Sequence, residues 1–202
     1  MSILPHYRFA RFRFYAPKGV SNVQIEGDSV AGCWDGTPVR FYGDKEKTLA
    51  ERFANWSWEA AQIQKFTERY GPLVGGPSDG RTFRFTLDSW RSHQWELRKF
   101  WSEVQRGAVG NVEFLQGNVI EIRDRWLDFR CGHLWTFMEL ELMSRPERVR
   151  FCLRPECPHP YFVAQHGKER YCSPDCSNWA QSQHKKGWHE DQRRKQRVEK
   201  KK

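Results

Sequence analysis

Four cysteines near the C-terminus constrain the fold of this chain more than any other feature. Cys152, Cys157, Cys172 and Cys176 fall within 25 of its 202 residues. They are spaced as Cys-x4-Cys, fourteen residues, then Cys-x3-Cys. Short intervals let both members of a pair reach one ion, and structural Zn²⁺ is commonly bound by four thiolates at about 2.3 Å. The sequence therefore predicts one structural zinc ion held by these four residues.

The expected compartment supports a metal site over disulfides. The first residues, MSILPHYRF, contain no basic segment leading into an apolar one, so we expect no export signal and a cytoplasmic location. In a reducing compartment, clustered thiols are more often metal ligands than disulfides. Four buried or unpaired thiols are the structural alternative. A catalytic zinc is disfavoured, because four thiolates fill the coordination position that an activated water needs.

The residues around the cysteines predict a small module over 149–190. Tyr161 to Ala164 is extended, Gln165 to Lys168 is a turn, and Glu169 to Tyr171 is expected to return as the second strand of a hairpin. Ser173-Pro174-Asp175 then supplies a cap, a first-turn proline and an early acid, so a helix is expected to carry Cys176 in its first turn. A knuckle, a hairpin and a helix bearing the last ligand form a treble-clef zinc finger. His159, His166, His184 and His189 are interpreted as surface residues, because the four-cysteine set is already complete.

Residues 1–148 are predicted to form one α+β domain with an aromatic core. The chain contains ten Trp, fourteen Phe and six Tyr. Each aromatic side chain buries roughly 150–250 Å², so about half of them would remove on the order of 2,000 Å² from water. Residues 1–43 are expected to be a β-rich extension, in which VQIEG and TPVRFYG pair with YRFARFRFY around a bulge near Ala10-Arg11.

Three helices and a hairpin are expected in the rest of this domain. One helix is predicted to start at a capping box, Thr48 to Glu51, and to run unbroken to Gly71-Pro72. A second is expected from the cap Asp88 to Gly107, after the strand TFRFTL. NVEFL and VIEIR flank a three-residue turn and predict a hairpin. A third helix is expected from about Asp124 to Pro146.

Positive charge is concentrated at the C-terminus. The formal net charge is +9, and the last nineteen residues carry nine Lys or Arg against three acids. A basic block of this kind is either a solvated tail or a contact for a polyanion. We treat residues 191–202 as a basic tail, which either continues the finger helix or forms a flexible arm after Gly187. The candidate nucleic-acid contacts are Lys185, Lys186, Arg193, Arg194, Lys195 and Arg197.

The stretch from Cys152 to about Trp188 resembles the CGNR-type zinc finger. Arg170-Tyr171-Cys172-Ser173 and Cys176-Ser177-Asn178-Trp179 occupy its basic-aromatic-Cys-Ser and Cys-Gly-Asn-Arg positions, with Ser177 replacing Gly and Trp179 replacing Arg. The order of helices, hairpin and helix before it is similar to the N-terminal (ABATE-like) partner of that finger in stress-induced bacterial transcription regulators. The resemblance covers about 45–202 and implies a zinc-bound, DNA-binding regulator. The change at Trp179 weakens the case for direct base reading more than the case for zinc.

Function follows from these features as ranked hypotheses. The first is a zinc-stabilised module that binds nucleic acid, DNA before RNA, through phosphate contacts of its basic end. The second is a structural or protein-interaction module in which Trp179 and Trp188 are anchors. A small-molecule ligand among the many Trp residues of 45–148 is a third, compatible hypothesis. An enzyme is not expected, because no phosphate loop, nucleophile elbow or paired catalytic motif is found. No run approaches the roughly 18 apolar residues of a membrane span.

Overall fold

The chain is described from a computed structural model that covers residues 14–16, 19–34, 39–41, 47–73, 81–107, 119–123, 126–130 and 133–199. It divides into two compact units, Met1–Pro146 and Glu147–Lys202. The architecture is mixed α and β, with strands in small antiparallel groups, as the α+β prediction requires. Among the described helices, none combines the length and apolar character needed to cross a bilayer.

The first unit contains seven short strands in three antiparallel groups. They are β1 Phe14–Ala16, β2 Val20–Glu26, β3 Ser29–Trp34, β4 Val39–Phe41, β5 Thr82–Thr86, β6 Val119–Arg123 and β7 Trp126–Arg130. β1 pairs with β4, β6 pairs with β7, and β2, β3 and β5 form a sheet in that order. Because β3 pairs with both β2 and β5, the strands of residues 20–34 share a sheet with a strand nearly 50 residues later in the chain.

The strand pairings differ in part from those expected. TPVRFYG contributes β4, which pairs with the end of the first aromatic segment as predicted. The prediction that VQIEG pairs with that segment is wrong, since β2 pairs with β3 across a tight turn at Gly27-Asp28. Gly27 has φ 64°, a conformation that glycine adopts without steric cost and that suits this hairpin turn. The bulge expected near Ala10-Arg11 lies outside the described residues.

The first predicted helix is interrupted. Thr48 caps α1 Leu49–Ala54 as expected, by accepting the Glu51 N–H at 3.1 Å. The chain then leaves the helix and re-enters it as α2 Ala60–Tyr70, which ends at Gly71 with φ 89°. The expectation of one unbroken helix is wrong because Gln94, from a later helix, donates to the backbone carbonyls of Phe53 and Trp56. These bonds satisfy carbonyls that would otherwise continue the helix ladder.

Two further helix starts are corrected. α3 Leu87–Gln105 is capped by Thr86, whose hydroxyl accepts the Ser89 N–H at 3.0 Å, and not by Asp88. Asp88 lies in the first turn instead, where it pairs with Arg91. α4 Leu134–Ser144 starts ten residues later than predicted, because residues 126–130 form β7 and pair with β6. NVEFL, the partner expected for VIEIR, lies outside the described residues.

The core of the first unit contains the cluster of aromatic side chains that its composition predicts, packed together with aliphatic side chains. Phe53, Phe66 and Trp90 are fully or almost fully buried, and their ring centroids lie 4.8–5.8 Å apart in tilted and edge-to-face arrangements. Such arrangements contribute about 0.5–1.5 kcal/mol per pair beyond area burial. Trp101 and Leu97 on α3, and Met138 and Leu142 on α4, complete the buried layer.

The second unit is built from one strand pair and one long helix. β8 Val149–Phe151 pairs with β9 Tyr161–Val163. The predicted hairpin between Tyr161–Ala164 and residues 169–171 is therefore wrong: residues 164–173 contain no strand, although the turn after Gln165 is present. α5 Pro174–Glu199 begins at the predicted proline and continues through Gly187 to Glu199.

Candidate metal centre

Each of the four cysteines is placed by a defined piece of local structure. Cys152 follows β8, where its N–H donates to the Pro160 carbonyl at 2.8 Å. Cys157 follows Glu156, whose φ of 56° turns the chain back. Cys172 lies just before α5. Cys176 lies in the first turn of α5, where its N–H is oriented toward the Ser173 hydroxyl at 3.4 Å. Two turns and a capped helix start therefore bring four distant positions together.

The four sulfur atoms have the spacing of a single-ion site. All lie within 4.8 Å of one another. Sγ of Cys157 lies 3.5 Å from Sγ of Cys172 and 3.7 Å from Sγ of Cys176, and the Cys172–Cys176 separation is also 3.7 Å. A tetrahedron with metal–sulfur bonds of about 2.3 Å has edges of about 3.8 Å. The three separations among Cys157, Cys172 and Cys176 match those edges, and Sγ of Cys152 lies within 4.8 Å of the other three, so the cluster could hold one metal ion.

The cluster is the core of the second unit. Cys152 and Cys176 are buried with Phe162 and Ala164, while Cys157, Tyr171 and Cys172 pack against them and are partly exposed. All four cluster cysteines are free thiols. Since few side chains of the described residues fill this core, a metal ion bound by the four thiolates would supply the cohesion that a larger apolar core supplies elsewhere.

Burial and hydrogen bonds shift the pKa values of Cys157, Cys172 and Cys176. It raises the pKa of Cys157 and Cys172, where the neighbouring thiol groups also bear on the shift. At Cys176 burial also favours the neutral thiol, but hydrogen bonds from Ser173, Cys172 and Arg154 outweigh it and lower the pKa to about 7. A metal ion binding to this cluster must therefore displace protons, so its affinity falls as the pH falls.

Arg154 is the cation next to the cluster. Its guanidinium Nη1 lies 3.9 Å from Cys176 Sγ, and its Cζ lies 5.8 Å from the ring centroid of Trp179. A tetrathiolate zinc site carries a formal charge of −2, which an adjacent guanidinium partly neutralises. Of the other basic residues near the cysteines in sequence, Arg150 donates to the Val149 carbonyl, and Lys168 and Arg170 are exposed.

The six candidate nucleic-acid contacts all lie on the exposed part of α5. At 100° per residue, Lys186, Arg193 and Arg197 fall within about 40° of one another and form one stripe. Lys185, Arg194 and Lys195 point to other sides of the helix, so the structure gathers three of the six on one face. Glu190 lies beside the stripe, and Lys200 lies outside the described residues. The basic stripe is hereafter Lys186, Arg193 and Arg197.

The sequence predicted the positions of the histidines around this site but missed one contact within it. The histidines His159, His166, His184 and His189 are exposed, as expected, and none belongs to the cluster. The pairing of Arg154 with Trp179 was missed, since it joins a loop residue to a helix residue 25 positions away. The available signal was Trp179 itself, which lies three residues after Cys176 and hence about one helical turn away.

The aromatic residues of the first unit give mixed support to a ligand hypothesis. Trp90 and Trp101 are buried in the core, and Trp56 and Trp135 are partly buried. These four are therefore accounted for wholly or partly by packing. Trp58 and Trp95 are instead exposed, and the side chain of Trp126 is not described.

Comparison with known proteins adds no family assignment. No family of known proteins, no curated protein and no solved structure matches the chain. The functional argument therefore depends on the four-cysteine cluster and on the charges around it.

Proposed function

We propose that this protein is a zinc-stabilised nucleic-acid-binding protein, and that it regulates transcription by binding DNA. The cluster of four thiols at tetrahedral separations carries the proposal, because it explains how a unit with so small a core holds a 26-residue helix. Zinc supplies folding free energy of about 10–16 kcal/mol in small modules of this kind. The residues Cys152, Cys157, Cys172 and Cys176 hold the ion.

The proposed partner follows from the charge of α5. From Gln181 to Arg197 almost every side chain is exposed, and the basic stripe gives this length of helix a positive face. Lys and Arg on a rigid helix displace counterions from phosphates and give salt-sensitive affinity with little sequence preference. Asn178, Gln181 and Gln183 lie on the same helix and offer amides to base edges.

A CGNR-type treble-clef finger is the finer form of this proposal. The turn at Cys157 and the ligand-bearing helix α5 support it, as does the sequence spacing of the four cysteines, whereas residues 164–173 lack the second hairpin strand that the pattern predicts. Trp179 stands where the family pattern has arginine, and in this chain its ring receives the guanidinium of Arg154. We infer a finger whose helix contributes phosphate contacts, with no catalytic role, since four thiolates leave no coordination position for substrate or water.

The metal part of the proposal is tested by metal analysis of the purified chain. We expect one zinc per chain, and its loss in Cys157→Ser and Cys176→Ser together with melting of the second unit. Cys33→Ser is the matched control, because Cys33 is a partly buried thiol on β3 and lies outside the cluster. Full zinc content in the Cys157→Ser, Cys176→Ser double variant would contradict the assignment.

The nucleic-acid part is tested by duplex DNA affinity as a function of salt. Replacing Lys186 and Arg193 by Gln should reduce the slope of log K against log [salt] by about 2, because each lost phosphate contact removes about 0.9. Lys65→Gln with Arg69→Gln removes the same charge from exposed positions on α2 and should leave the slope unchanged.

The same salt titration distinguishes nucleic-acid binding from the hypothesis of a structural or protein-interaction module. Trp188 is 55% exposed in the middle of α5, which is the observation that favours a protein partner. A wild-type slope near zero would support that second function and refute nucleic-acid binding by α5.

A further inference from the structure

Two tryptophans lie exposed on the outer side of α3. Trp58, between α1 and α2, is 50% exposed, and Trp95, in the middle of α3, is 58% exposed. On the opposite side of the same helix Trp90 and Trp101 are buried. Core filling therefore explains the second pair and leaves the first pair without a packing role.

Trp58 is held in place against α3. Its indole N–H donates to the side-chain oxygen of Gln94, and its backbone carbonyl accepts from Arg91 at 3.5 Å. The guanidinium of Arg98 lies 5.3 Å from the ring centroid of Trp58, while its Nε donates to the Ala54 carbonyl. The ring is thus fixed by three neighbours while half of its surface is in contact with solvent.

Trp95 lies among cations on the same face. Lys99 Nζ is 5.8 Å from its ring centroid. Arg91, Arg98 and Lys99 lie four residues before, three after and four after Trp95, so all three border it on the helix surface. Together with Trp58 these residues form what we call the Trp58–Trp95 face.

The charge of this face is positive. Asp88, which lies 2.8 Å from Arg91, and the exposed Glu59, which follows Trp58 in the chain, offset part of the charge of its three cations. Glu96 and Glu103 lie on the adjoining flank of α3, about 100° from its centre at 100° per residue. A partner for this face must therefore combine negative charge with flat groups that stack on indole rings.

We propose that the Trp58–Trp95 face binds single-stranded nucleic acid, with bases stacked on the two indoles and phosphates contacted by Arg91, Arg98 and Lys99. Single strands alternate a flat aromatic base with a phosphate, and proteins bind them with aromatic platforms bordered by cations. An acidic protein segment matches the charge but supplies no regular series of flat groups. This surface lies in the first unit, so it is separate from the basic stripe of α5.

The experiment measures binding of a labelled deoxythymidine oligonucleotide of about 12 residues, within the range of single-strand site sizes, by anisotropy on the full chain. Trp95→Ala should weaken binding about 5- to 100-fold, since stacking contributes about 1–3 kcal/mol per base. Trp95→Phe should retain most of the affinity, because phenyl rings also stack. Trp188→Ala removes an equally exposed tryptophan from α5 and should change affinity less than twofold.

Several results would overturn this inference. One is unchanged oligonucleotide affinity in Trp95→Ala, and another is an equal loss in Trp188→Ala. A Trp95→Ala variant that loses binding to polyglutamate but keeps the oligonucleotide would identify an acidic protein partner instead. A melting temperature of Trp95→Ala close to that of the wild type shows that the fold is intact. If it is not, Lys99→Gln provides the test, because it removes a proposed phosphate contact from an exposed position and should reduce the salt dependence of oligonucleotide binding.

The inference shares its class of partner with the proposed function but is separable from it. The Lys186→Gln, Arg193→Gln variant should lose duplex affinity while keeping the Trp95-dependent oligonucleotide binding. If duplex binding proves independent of α5 while Trp95→Ala still weakens oligonucleotide binding, the proposed function fails and this inference stands. If Lys186→Gln with Arg193→Gln weakens duplex binding but Trp95→Ala leaves oligonucleotide binding unchanged, this inference fails and the proposed function stands.

Discussion

Replacing Arg154 by alanine should weaken metal binding without removing a ligand. The guanidinium is the positive charge next to Cys176 Sγ, at 3.9 Å. It stabilises the thiolate form, in which the cysteine binds metal, and the tetrathiolate charge that remains once zinc is bound. Arg154 also packs over Trp179, so its removal loosens the first turns of α5 around the ligand.

The size of the effect follows from that distance. A formal charge of −2 spread over four sulfurs places about half a unit charge on Cys176. At about 4 Å and an effective dielectric of 20, two full charges interact by about 4 kcal/mol, so half a charge gives about 2 kcal/mol. Since 1.4 kcal/mol is tenfold, we expect affinity to fall about 30-fold, within the 10- to 100-fold range typical of outer-shell partners.

The assay is competition between the protein and a chromophoric chelator for Zn²⁺, repeated with Co²⁺, whose sulfur-to-metal charge-transfer absorption reports thiolate coordination directly. Arg154→Ala should keep the cobalt spectrum and lose affinity, and its metal should be released at a higher pH because the Cys176 pKa is no longer lowered by the guanidinium. The zinc affinity of Arg154→Lys should lie between those of the wild type and Arg154→Ala, since lysine keeps the charge but loses the planar guanidinium.

Arg170→Ala is the matched control, because Arg170 is an exposed arginine of the same unit. Wild-type zinc affinity in Arg154→Ala, or an equal loss in Arg170→Ala, would refute the electrostatic argument. A changed cobalt spectrum in Arg154→Ala would show that the residue holds the ligand geometry instead.

Three further predictions concern the two units separately. Burial raises the pKa of Glu141, whose carboxylate accepts the Ala50 N–H at 2.9 Å, to about 8. The folded state therefore keeps a proton that the unfolded state loses above about pH 4.5. As a result, the free energy of unfolding should fall by a few kcal/mol between pH 4.5 and 8. In urea unfolding at several pH values, Glu141→Gln should reduce this pH dependence of the free energy of unfolding, whereas Glu147→Gln should not. An unchanged pH dependence in Glu141→Gln would contradict the assignment. Gly32→Ala should destabilise the first unit by about 1–3 kcal/mol in urea unfolding, because its Cβ would lie 2.5 Å from the Phe83 ring; wild-type stability would show that this ring moves freely. A strong zinc chelator should reduce far-ultraviolet helicity by unwinding α5 while leaving the tryptophan core of the first unit intact, and unchanged helicity would mean that α5 is stable without metal.

The sequence was sufficient where the controlling interactions are local. The cap of α1 is formed by residues three apart, and the start of α5 is set by Ser173 and Pro174 within one turn. Cysteine spacing is equally local, since the short intervals alone indicate which thiols share an ion. The aromatic cluster in the core also follows from composition, because ten Trp, fourteen Phe and six Tyr are too many to leave wholly exposed.

The sequence failed where a distant residue decided between local alternatives. A helical pattern continues from Leu49 to Tyr70, but Gln94 binds two carbonyls at the break and separates α1 from α2. The periodicity of residues 127–142 fits one helix, yet pairing with β6 converts 126–130 into a strand. Tyr161–Val163 was also assigned the wrong partner. Residues before and after it are both close enough in sequence to form a hairpin with it, and the fold selects β8.

Two choices at the proposed sites were likewise tertiary. Ten tryptophans are equivalent in composition, and the packing of one face of α3 on the core separates the buried Trp90 from the exposed Trp95, both of which lie on that helix. Four basic residues flank the cysteines in sequence, and the fold brings Arg154 to a sulfur atom. By itself the sequence determined which thiols form the candidate metal site and where charge accumulates, because those properties belong to residue types and short spacings. The tertiary structure decided which aromatic and basic side chains face solvent or sulfur, because that depends on contacts between segments far apart in the chain.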